Sequence, residues 1–431
     1  MSGRPLPMVE QERPWRPVLG GRARPVYRAI VRALADDIRS GALAPGTRLP
    51  TQRQLAQTLG VTVSTVTRAY KHAQAMGLLS SQVGRGSFVA IPSWSSAGWD
   101  LPETRLRRTG QAAPAQSTVD FLLHRPSLGL SRSILPLALG DLAEHYNLRS
   151  NLDYPTPTGA ERHRIAGAAW VALAGVNVDP SCVILCSGAQ QALFAAIAAN
   201  TNPGDAVLVE HLNYVGIRRI ADLLRVRLIG VQLTASGMDL DALETLCAVH
   251  APKLLVCTPT MHNPTTISMP WQDRQSLLSV AARHGVLVVE DDVFGPLAGP
   301  EGMPLRAMAE EGVVYISSTS KALAPGLRCG YLVVPARETE RYAWPILTST
   351  WGPSPLLADF VTDWIENGVA GQMIERQLDL SAKRVRLAQA IIGGRYNLRA
   401  DPRTFHTWLL LPPGWDGEAL AMMLGSRNVM I

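Results

Sequence analysis

One lysine stands among small hydroxyl residues in the stretch Ser317-Ser318-Thr319-Ser320-Lys321-Ala322-Leu323-Ala324-Pro325-Gly326-Leu327-Arg328-Cys329-Gly330. The apolar residues 313–316 before it predict a buried strand. The chain has 41 basic residues, but only Lys71, Lys253, Lys321 and Lys383 are lysines. A primary amine can form an imine with an aldehyde, which a guanidinium cannot. The hydroxyls and Arg328 suit a phosphate dianion, although a polar loop with a solvated lysine is an alternative.

The pattern S-x-S-K-x-x-x-P-G-x-R-x-G in this stretch resembles the cofactor-lysine motif of fold-type I pyridoxal-phosphate enzymes, the aspartate aminotransferase superfamily. The resemblance implies that Lys321 carries pyridoxal 5'-phosphate and that Ser318, Ser320 and Arg328 hold its phosphate. Ser187-Gly188-Ala189 precedes an Ala-rich helix, and free amides at a helix N-terminus bind anions. In the resemblance, the amides of Gly188 and Ala189 form the phosphate cup.

Further motifs of the superfamily occur in the same order. Asp291 ends an apolar run and matches the carboxylate that pairs with the pyridine nitrogen, while Asp292 is expected to be a loop or capping carboxylate. Asn263 matches the asparagine that bonds the ring O3′, Tyr214 the ring-stacking tyrosine, and Tyr154 the tyrosine that reaches the phosphate of a neighbouring subunit. Tyr154 therefore implies a homodimer. Each residue alone is also compatible with a structural role; Asn263, for example, with a turn before proline.

The sequence departs from the superfamily at two places. Val293 and Phe294 have no hydroxyl where relatives usually place a tyrosine that bonds O3′, which puts the tuning of the cofactor in doubt. Relatives also clamp the substrate carboxylate with a C-terminal arginine. Four arginines remain near the end of the chain and fit that motif poorly: Arg395, Arg399, Arg403 and Arg427. Either the chain is truncated or the clamp is absent, so we expect an incomplete C-terminal subdomain.

The front of the chain is basic. Residues 1–118 hold 16 Lys and Arg against 6 Asp and Glu, a net charge of +10, whereas residues 119–431 hold 25 against 29, a net charge of −4. This asymmetry indicates a module for a polyanion joined to a small-molecule domain. Helices are predicted over 25–40, 51–59 and 62–76, with Thr51 and Thr62 as N-caps and Gly60 between them, followed by a hairpin over 78–90.

The spacing G-x-L-x-P-G-x-x-L-P-T-x-R-x-L-A-x-x-L-G-V-x-x-x-T-V-x-x-A-Y resembles the winged helix of GntR-type transcription regulators. The resemblance places residues 62–76 in the major groove of a double-stranded DNA operator. It implies six DNA-binding residues: Arg53, Thr62, Ser64, Thr65, Arg68 and Arg85. Val66, Ala69 and Tyr70 are expected in the core. Val63 stands where some relatives carry a basic residue; a generic three-helix domain is the alternative.

From residue 119 the sequence alternates between helical segments and short apolar runs, which indicates an α/β domain with a mostly parallel sheet. Helices are predicted over 189–199, 215–224, 240–249 and 272–283, and strands over 207–210, 228–233, 254–257, 286–290 and 313–316. Long helices over 338–348 and 355–392 and a strand over 405–411 follow. The predicted organisation is a flexible leader (1–24), a winged helix (25–91), a linker (92–118) and an aminotransferase-like domain (119–431), with a large part (150–334) and a small C-terminal part (335–431).

The combined arrangement resembles the MocR subfamily of bacterial regulators. It implies a regulator in which pyridoxal phosphate or a small amine or vitamer effector modulates operator binding, with little or no transaminase turnover. An aminotransferase for an amino acid, with an accessory N-terminal domain, is the alternative, and a truncated inactive product is a third. No apolar run in the sequence is long enough to span a bilayer. The five scattered cysteines predict reduced thiols rather than a metal site. The Arg- and Pro-rich start of the chain favours a cytoplasmic protein.

Overall fold

The computed structural model describes residues 15–17, 25–39, 42–43, 46–75, 78–82, 86–89, 119–122, 124–127 and 154–431. The chain divides into two compact units, Met1–Thr118 and Val119–Ile431. The predicted linker over 92–118, and most of the predicted leader over 1–24, lie outside the described residues. Each unit is considered by itself.

The first unit consists of three helices and a hairpin. Its elements are α1 (Val26–Arg39), α2 (Gln52–Leu59), α3 (Val63–Ala75), β1 (Leu79–Gln82) and β2 (Gly86–Val89), with β1 and β2 antiparallel. Thr51 caps α2 through a capping box, in which its hydroxyl accepts from the Gln54 amide at 3.3 Å and Gln54 Oε1 accepts from the Thr51 amide at 3.0 Å. Gly60, at φ 63°, ends α2 in the left-handed region. The predicted helix-turn-helix and hairpin are confirmed, with bounds shifted by one or two residues.

The core of the first unit is built from one face of each helix. Ile30 and Leu34 of α1 meet Leu55 of α2 and Val66 of α3, all nearly inaccessible to solvent. Tyr70 is also buried, and its hydroxyl donates to the Pro50 carbonyl at 2.8 Å. The prediction that Val66, Ala69 and Tyr70 belong to the core is confirmed. This packing leaves the opposite face of α3 on the surface.

The second unit is organised around a seven-stranded sheet. A separate short strand, β3 (Val119–Asp120), precedes it. The sheet strands are β4 (Val183–Cys186), β5 (Ala206–Glu210), β6 (Arg227–Val231), β7 (Leu254–Cys257), β8 (Leu287–Asp291), β9 (Val313–Ser318) and β10 (Gly330–Val333), in the order β4-β10-β9-β8-β7-β5-β6. The strands from β9 to β6 are parallel, whereas β10 runs antiparallel to β9 and β4. The mostly parallel sheet is confirmed; β10 was not predicted, because its run follows directly on the lysine loop.

Helices cover both faces of this sheet, since successive side chains of a strand point to opposite faces. Ile184 and Val314 lie in one apolar cluster, while Leu185 and Tyr315 lie in another. The helices are α4 (Glu161–Ala172), α5 (Ala189–Ala198), α6 (Val215–Leu224), α7 (Leu240–His250), α8 (Trp271–His284), α9 (Gly295–Ala298), α10 (Leu305–Met308) and α11 (Thr339–Thr350). This layering fixes the carboxyl ends of the parallel strands along one edge.

The C-terminal part differs from the prediction of one helix over 355–392. It contains two helices, α12 (Pro355–Glu366) and α13 (Val369–Ala388), because Gly368 adopts φ 76° between them and breaks the first helix. A hairpin, β11 (Asn397–Ala400) with β12 (Thr407–Leu410), then α14 (Gly417–Gly425) and β13 (Val429–Met430) follow. Strand β13 pairs in parallel with β3. All five cysteines are free thiols, and within the described residues no helix has the length and apolar character needed to cross a bilayer.

Candidate functional site

Polar side chains gather where the parallel strands end. Glu210 ends β5, Asp291 ends β8 and Ser318 ends β9, and all three are buried. Since these strands are neighbours or near neighbours in the sheet, their ends border one crevice, which is where ligands bind in open α/β sheets.

Lys321 lies in the loop that follows β9. Its Nζ donates to the backbone carbonyl of His124 at 2.9 Å and lies 6.0 Å from the centre of the Phe294 ring. Burial lowers the pKa of Lys321 to about 8, against the opposing effect of Asp291. A lysine with a pKa near neutrality offers a substantial fraction of free amine, which is the nucleophilic form that attacks an aldehyde.

The surroundings of Asp291 suit a positively charged hydrogen-bond donor from a bound ligand. It is 5 % exposed, and its Oδ1 has no hydrogen-bond partner in the described part of the chain. Burial, together with Asp292 and Glu210, raises the pKa of Asp291 to about 7, while Lys321 acts in the opposite direction. A buried carboxylate oxygen without a partner is unfavourable. A protonated ring nitrogen would satisfy it, so the residue fits the pyridine of pyridoxal phosphate.

The two acidic neighbours of Asp291 are already engaged. Glu290 accepts the backbone amides of Leu305 at 2.9 Å and Arg306 at 3.0 Å, at the start of α10. Asp292 accepts the hydroxyl of Tyr315 at 2.9 Å. Asp292 Oδ1, like Asp291 Oδ1, is buried without a hydrogen-bond partner among the described residues. What distinguishes Asp291 is that its charge acts on Lys321, whose pKa it raises against the effect of burial.

The turn before α5 and the loop after Lys321 approach each other closely. Gly188 has φ 88°, and a Cβ there would lie 2.7 Å from Arg328 Nη2; a Cβ at Gly330 would lie 2.8 Å from the backbone of Gly188. Arg328 Nη2 donates to the Ser187 carbonyl at 2.9 Å. The guanidinium and the first-turn amide of Ala189 are therefore brought together, and an amide at a helix N-terminus favours an anion such as phosphate.

The serines of the lysine loop hold that loop in place. Ser318 Oγ donates to the Cys329 carbonyl at 3.1 Å and lies 2.9 Å from Ser320 Oγ. Ser317 Oγ accepts the indole N–H of the buried Trp170 at 3.2 Å. Ser318 thus ties the end of β9 to the residue before β10 and keeps the Lys321 loop next to Arg328.

The remaining predicted cofactor residues are placed less directly. Tyr214 precedes α6, and burial and the nearby Asp291 raise its pKa, so it borders the same crevice. Asn263 lies half-buried in the turn after β7. Tyr154 is 79 % exposed and packs against Trp351 with ring centres 5.5 Å apart. A tyrosine so exposed fits a residue directed at a second subunit.

Two residues of the site were missed because nothing near them in the sequence marks them. His124 supplies the carbonyl for Lys321, and its ring stacks on that of His406. Gln191 was predicted only as part of a helix, yet its Oε1 accepts the Ser187 amide at 2.7 Å and its Nε2 donates to Ser349 and Thr350. Only the fold brings His124 to the lysine loop, whereas Gln191 lies four residues after Ser187 and reaches it within the turn.

The predicted DNA-reading residues lie at the start of α3. Thr62 Oγ1 lies 2.9 Å from both Ser64 Oγ and Thr65 Oγ1 and accepts the Thr65 amide at 3.4 Å, so Thr62 caps the helix. Thr62 and Ser64 are exposed and Thr65 is half-buried. Exposed hydroxyls at a helix N-terminus can bond phosphate or base edges.

Two of the three predicted arginines are described, and both are exposed. Arg53 lies on α2, whereas Arg68 lies on α3 with its guanidinium 4.3 Å from the centre of the Tyr27 ring. Such stacking orients the planar group. Arg85 lies outside the described residues. Arg48, which the sequence did not single out, is exposed beside Gly86, the first residue of β2.

Comparison with known proteins matches both units to families. The family described as "Aminotransferase class I and II" matches residues 129–426. The family described as "Bacterial regulatory proteins, gntR family" matches residues 26–89. The two matches fall within the second and first compact units, respectively.

Individual relatives share both units. The chain is 29 % identical to the "Uncharacterized HTH-type transcriptional regulator YdeF" of Bacillus subtilis over 95 % of this chain and 87 % of that protein. It is 28 % identical to the "Probable rhizopine catabolism regulatory protein MocR" of Rhizobium meliloti over 85 % and 77 %. Among solved structures, the α-aminoadipate aminotransferase LysN of Thermus thermophilus, complexed with N-(5'-phosphopyridoxyl)-L-leucine, has a TM-score of 0.62 and 26 % identity over 76 % of this chain and 87 % of that chain.

Proposed function

We propose that this chain, which belongs to the aminotransferase class I and II family and carries a GntR domain ahead of it, is a DNA-binding transcription regulator. It has the domain arrangement of the MocR subfamily of regulators. Its operator binding responds to pyridoxal phosphate, or to an amine or vitamer, at Lys321. The GntR match, the regulators among its relatives and the basic first unit support DNA binding.

The described residues fit pyridoxal phosphate. Lys321 would hold the aldehyde carbon, Asp291 the ring nitrogen, and Arg328 with the amides of Gly188 and Ala189 the phosphate. When bound, the group supplies an aldehyde that exchanges between primary amines and a ring that withdraws electrons. Tyr154, exposed on this chain, would complete the phosphate site of a second copy, so we propose a homodimer.

One hydrogen bond carries the proposed link between the pocket and DNA binding. Lys321 Nζ bonds the carbonyl of His124, and His124 lies on residues 119–127, which continue directly from the predicted linker. Two backbone hydrogen bonds hold that segment, from the Val119 amide to the Asn428 carbonyl and from the Phe121 amide to the Met430 carbonyl. The side-chain amide of Gln377 also accepts from the Ser127 amide and donates to the Ser127 carbonyl. A ligand that takes over the Lys321 amine competes with the bond to His124. Such a ligand therefore has a direct energetic connection to the end of the predicted linker, from which residue 119 continues.

An amino-acid aminotransferase with an accessory domain is the second candidate. The lowered pKa of Lys321 and the buried Asp291 favour it, because both serve transamination as well as binding. Against it, Phe294 is buried at the position where the superfamily usually places the phenol. We therefore rank regulation first.

Footprinting of the full chain on its own upstream DNA, with and without pyridoxal phosphate, tests the proposal. The expected result is a protected site whose occupancy changes when the cofactor is added. Protection of the DNA that is the same with and without the cofactor, combined with rapid conversion of amino acids to oxo acids, would support the aminotransferase instead.

A further inference from the structure

Two histidine rings form one wall beside Lys321. His124 and His406 stack with their centres 4.2 Å apart and their planes 7° from parallel. The ring of His406 also lies 5.6 Å from that of Phe294, which in turn lies 6.0 Å from Lys321 Nζ. Neither imidazole belongs to the set of side chains that would hold the cofactor.

The hydrogen bond of His406 fixes which of its nitrogens carries the proton. Its Nε2 lies 3.2 Å from the carbonyl oxygen of His262. A carbonyl only accepts, so Nε2 must donate. In the neutral ring the lone pair then lies on Nδ1. This Nδ1 is buried and has no hydrogen-bond partner within the part of the chain that the structure describes.

The environment keeps both rings neutral. Burial, and for His124 also its neighbours His406 and Lys321, lowers the pKa of His124 to about 3. For His406, burial is again the largest cause; Lys321 and His262 act in the same direction, the His262 carbonyl and Asp401 oppose it, and its pKa is lowered to about 4. Near pH 7, Nδ1 of His406 is therefore an acceptor and not a cation. It attracts N–H and O–H groups and repels the oxygens of a carboxylate.

We propose that His406 determines the specificity of the Lys321 pocket: its Nδ1 accepts a hydrogen bond from a second donor group on an amine effector, so the pocket prefers amino alcohols or diamines to amino acids that would present a carboxylate to this wall. The inference rests on the proposed function, because it requires an amine effector that would displace the Lys321 amine from the aldehyde carbon of bound pyridoxal phosphate. The flat faces of His124 and Phe294 suit the carbon chain between the two donor groups. The donor group of such an effector would also satisfy Nδ1, which is buried without a hydrogen-bond partner among the described residues.

Matched ligands test this on the full-length protein loaded with pyridoxal phosphate. Ethanolamine is compared with ethylamine, and 3-amino-1-propanol with propylamine and with β-alanine, which carries a carboxylate instead of the alcohol. The readout is the concentration of each amine that half-changes the visible absorption of the bound cofactor. In the parent, at least one amino alcohol should act at about a tenfold lower concentration than its alkylamine, the value of one net hydrogen bond. 3-Amino-1-propanol should also act at a lower concentration than β-alanine.

Variants at His406 complete the test. His406→Leu should respond equally to an amino alcohol and its alkylamine, whereas His406→Gln, which keeps an acceptor oxygen, should retain part of the preference. If His406→Leu folds poorly, the inference is tested by the amine series on the parent and on His406→Gln. A parent that treats each pair alike, or a preference for β-alanine, overturns the inference. A protein that shows no visible band with pyridoxal phosphate overturns the proposed function first, before any amine is added, and the inference with it.

Discussion

Replacing Asp291 by asparagine is predicted to stabilise the apo protein and, at the same time, to weaken its hold on pyridoxal phosphate. Asp291 is 5 % exposed, with Oδ1 lacking a hydrogen-bond partner in the described part of the chain. Without the cofactor, the ionised carboxylate is desolvated, with Lys321 as the opposing charge that acts on it. A protonated pyridine nitrogen beside it turns the same charge into a favourable partner.

The size of the effect follows from the pKa. Burial, with Asp292 and Glu210, raises the pKa of Asp291 from 3.8 to about 7. At about 1.36 kcal/mol for each pKa unit, ionising this group in the folded rather than the unfolded chain costs about 4 kcal/mol. Because the folded pKa is the higher one, the folded state binds the proton more tightly, and this group's contribution to stability falls as pH rises from about 4 to about 7. In urea unfolding of the apo protein, the advantage of Asp291→Asn should therefore grow by about 2–3 kcal/mol between pH 5 and pH 8.

The cofactor should reverse this ranking. Removing one partner of a buried charge pair costs about 2–5 kcal/mol, so the affinity of Asp291→Asn for pyridoxal phosphate should fall by at least about thirtyfold. Glu340→Gln, which removes an exposed carboxylate from the first turn of α11, should show neither effect. An Asp291→Asn variant whose stability relative to the parent is independent of pH, or whose cofactor affinity is unchanged, would refute the reasoning.

Four further substitutions have definite outcomes. Lys321→Ala should abolish the visible band of the bound cofactor, measured by absorption, because Lys321 is the lysine at the crevice. Arg53→Ala and Arg68→Ala should each lower the slope of log affinity for DNA against log salt by about one if each arginine contacts a phosphate, measured by titration at several salt concentrations. Gly188→Ala should lose about 1–3 kcal/mol of stability, from unfolding curves, because a φ of 88° is strained for alanine. It should also weaken cofactor binding, because the new Cβ would lie 2.7 Å from Arg328 Nη2 and displace that guanidinium.

Each of these changes has a matched control. Lys383→Ala removes an exposed lysine from α13 and should keep the visible band; a band that survives Lys321→Ala would contradict the assignment of the lysine. Arg386→Ala lies in the second unit and should leave the salt slope intact, while unchanged slopes in both winged-helix variants would rule out those contacts. Gly285→Ala also has a positive φ, but a Cβ there meets nothing within 4 Å, so it should lose stability without losing the cofactor.

Local signals predicted most of the elements, since the relevant interactions are close in sequence. Thr51 and Gly60 bound α2 through cap chemistry that four residues determine. The runs at 215–224 and 254–257 were predicted with the bounds of α6 and β7. The break at Gly368 was missed because the apolar pattern continues across it, and only the positive φ shows where the second helix starts.

The candidate site divides in the same way. Lys321, Asp291 and Gly188 were found because each lies at the end of a strand or the start of a helix, where spacing carries information. His124 and His406 were not, because 282 residues separate two rings that stack at 4.2 Å. Arg328 was predicted as a phosphate ligand from the motif, but its bond to Ser187 required the antiparallel β10 to lie beside β4.

The regulatory role of the Lys321 site is tested by the operator affinity of one preparation with and without pyridoxal phosphate, at one salt concentration. We expect the two affinities to differ by roughly 5- to 150-fold, the usual range of coupling between two sites. Lys321→Ala should bind the operator with the affinity of the apo parent and ignore added cofactor. By reciprocity, saturating operator DNA should change the affinity for pyridoxal phosphate by the same factor. Equal operator affinities with and without the cofactor, in a parent that shows the visible band, would contradict the claim and leave the second unit as a passive scaffold.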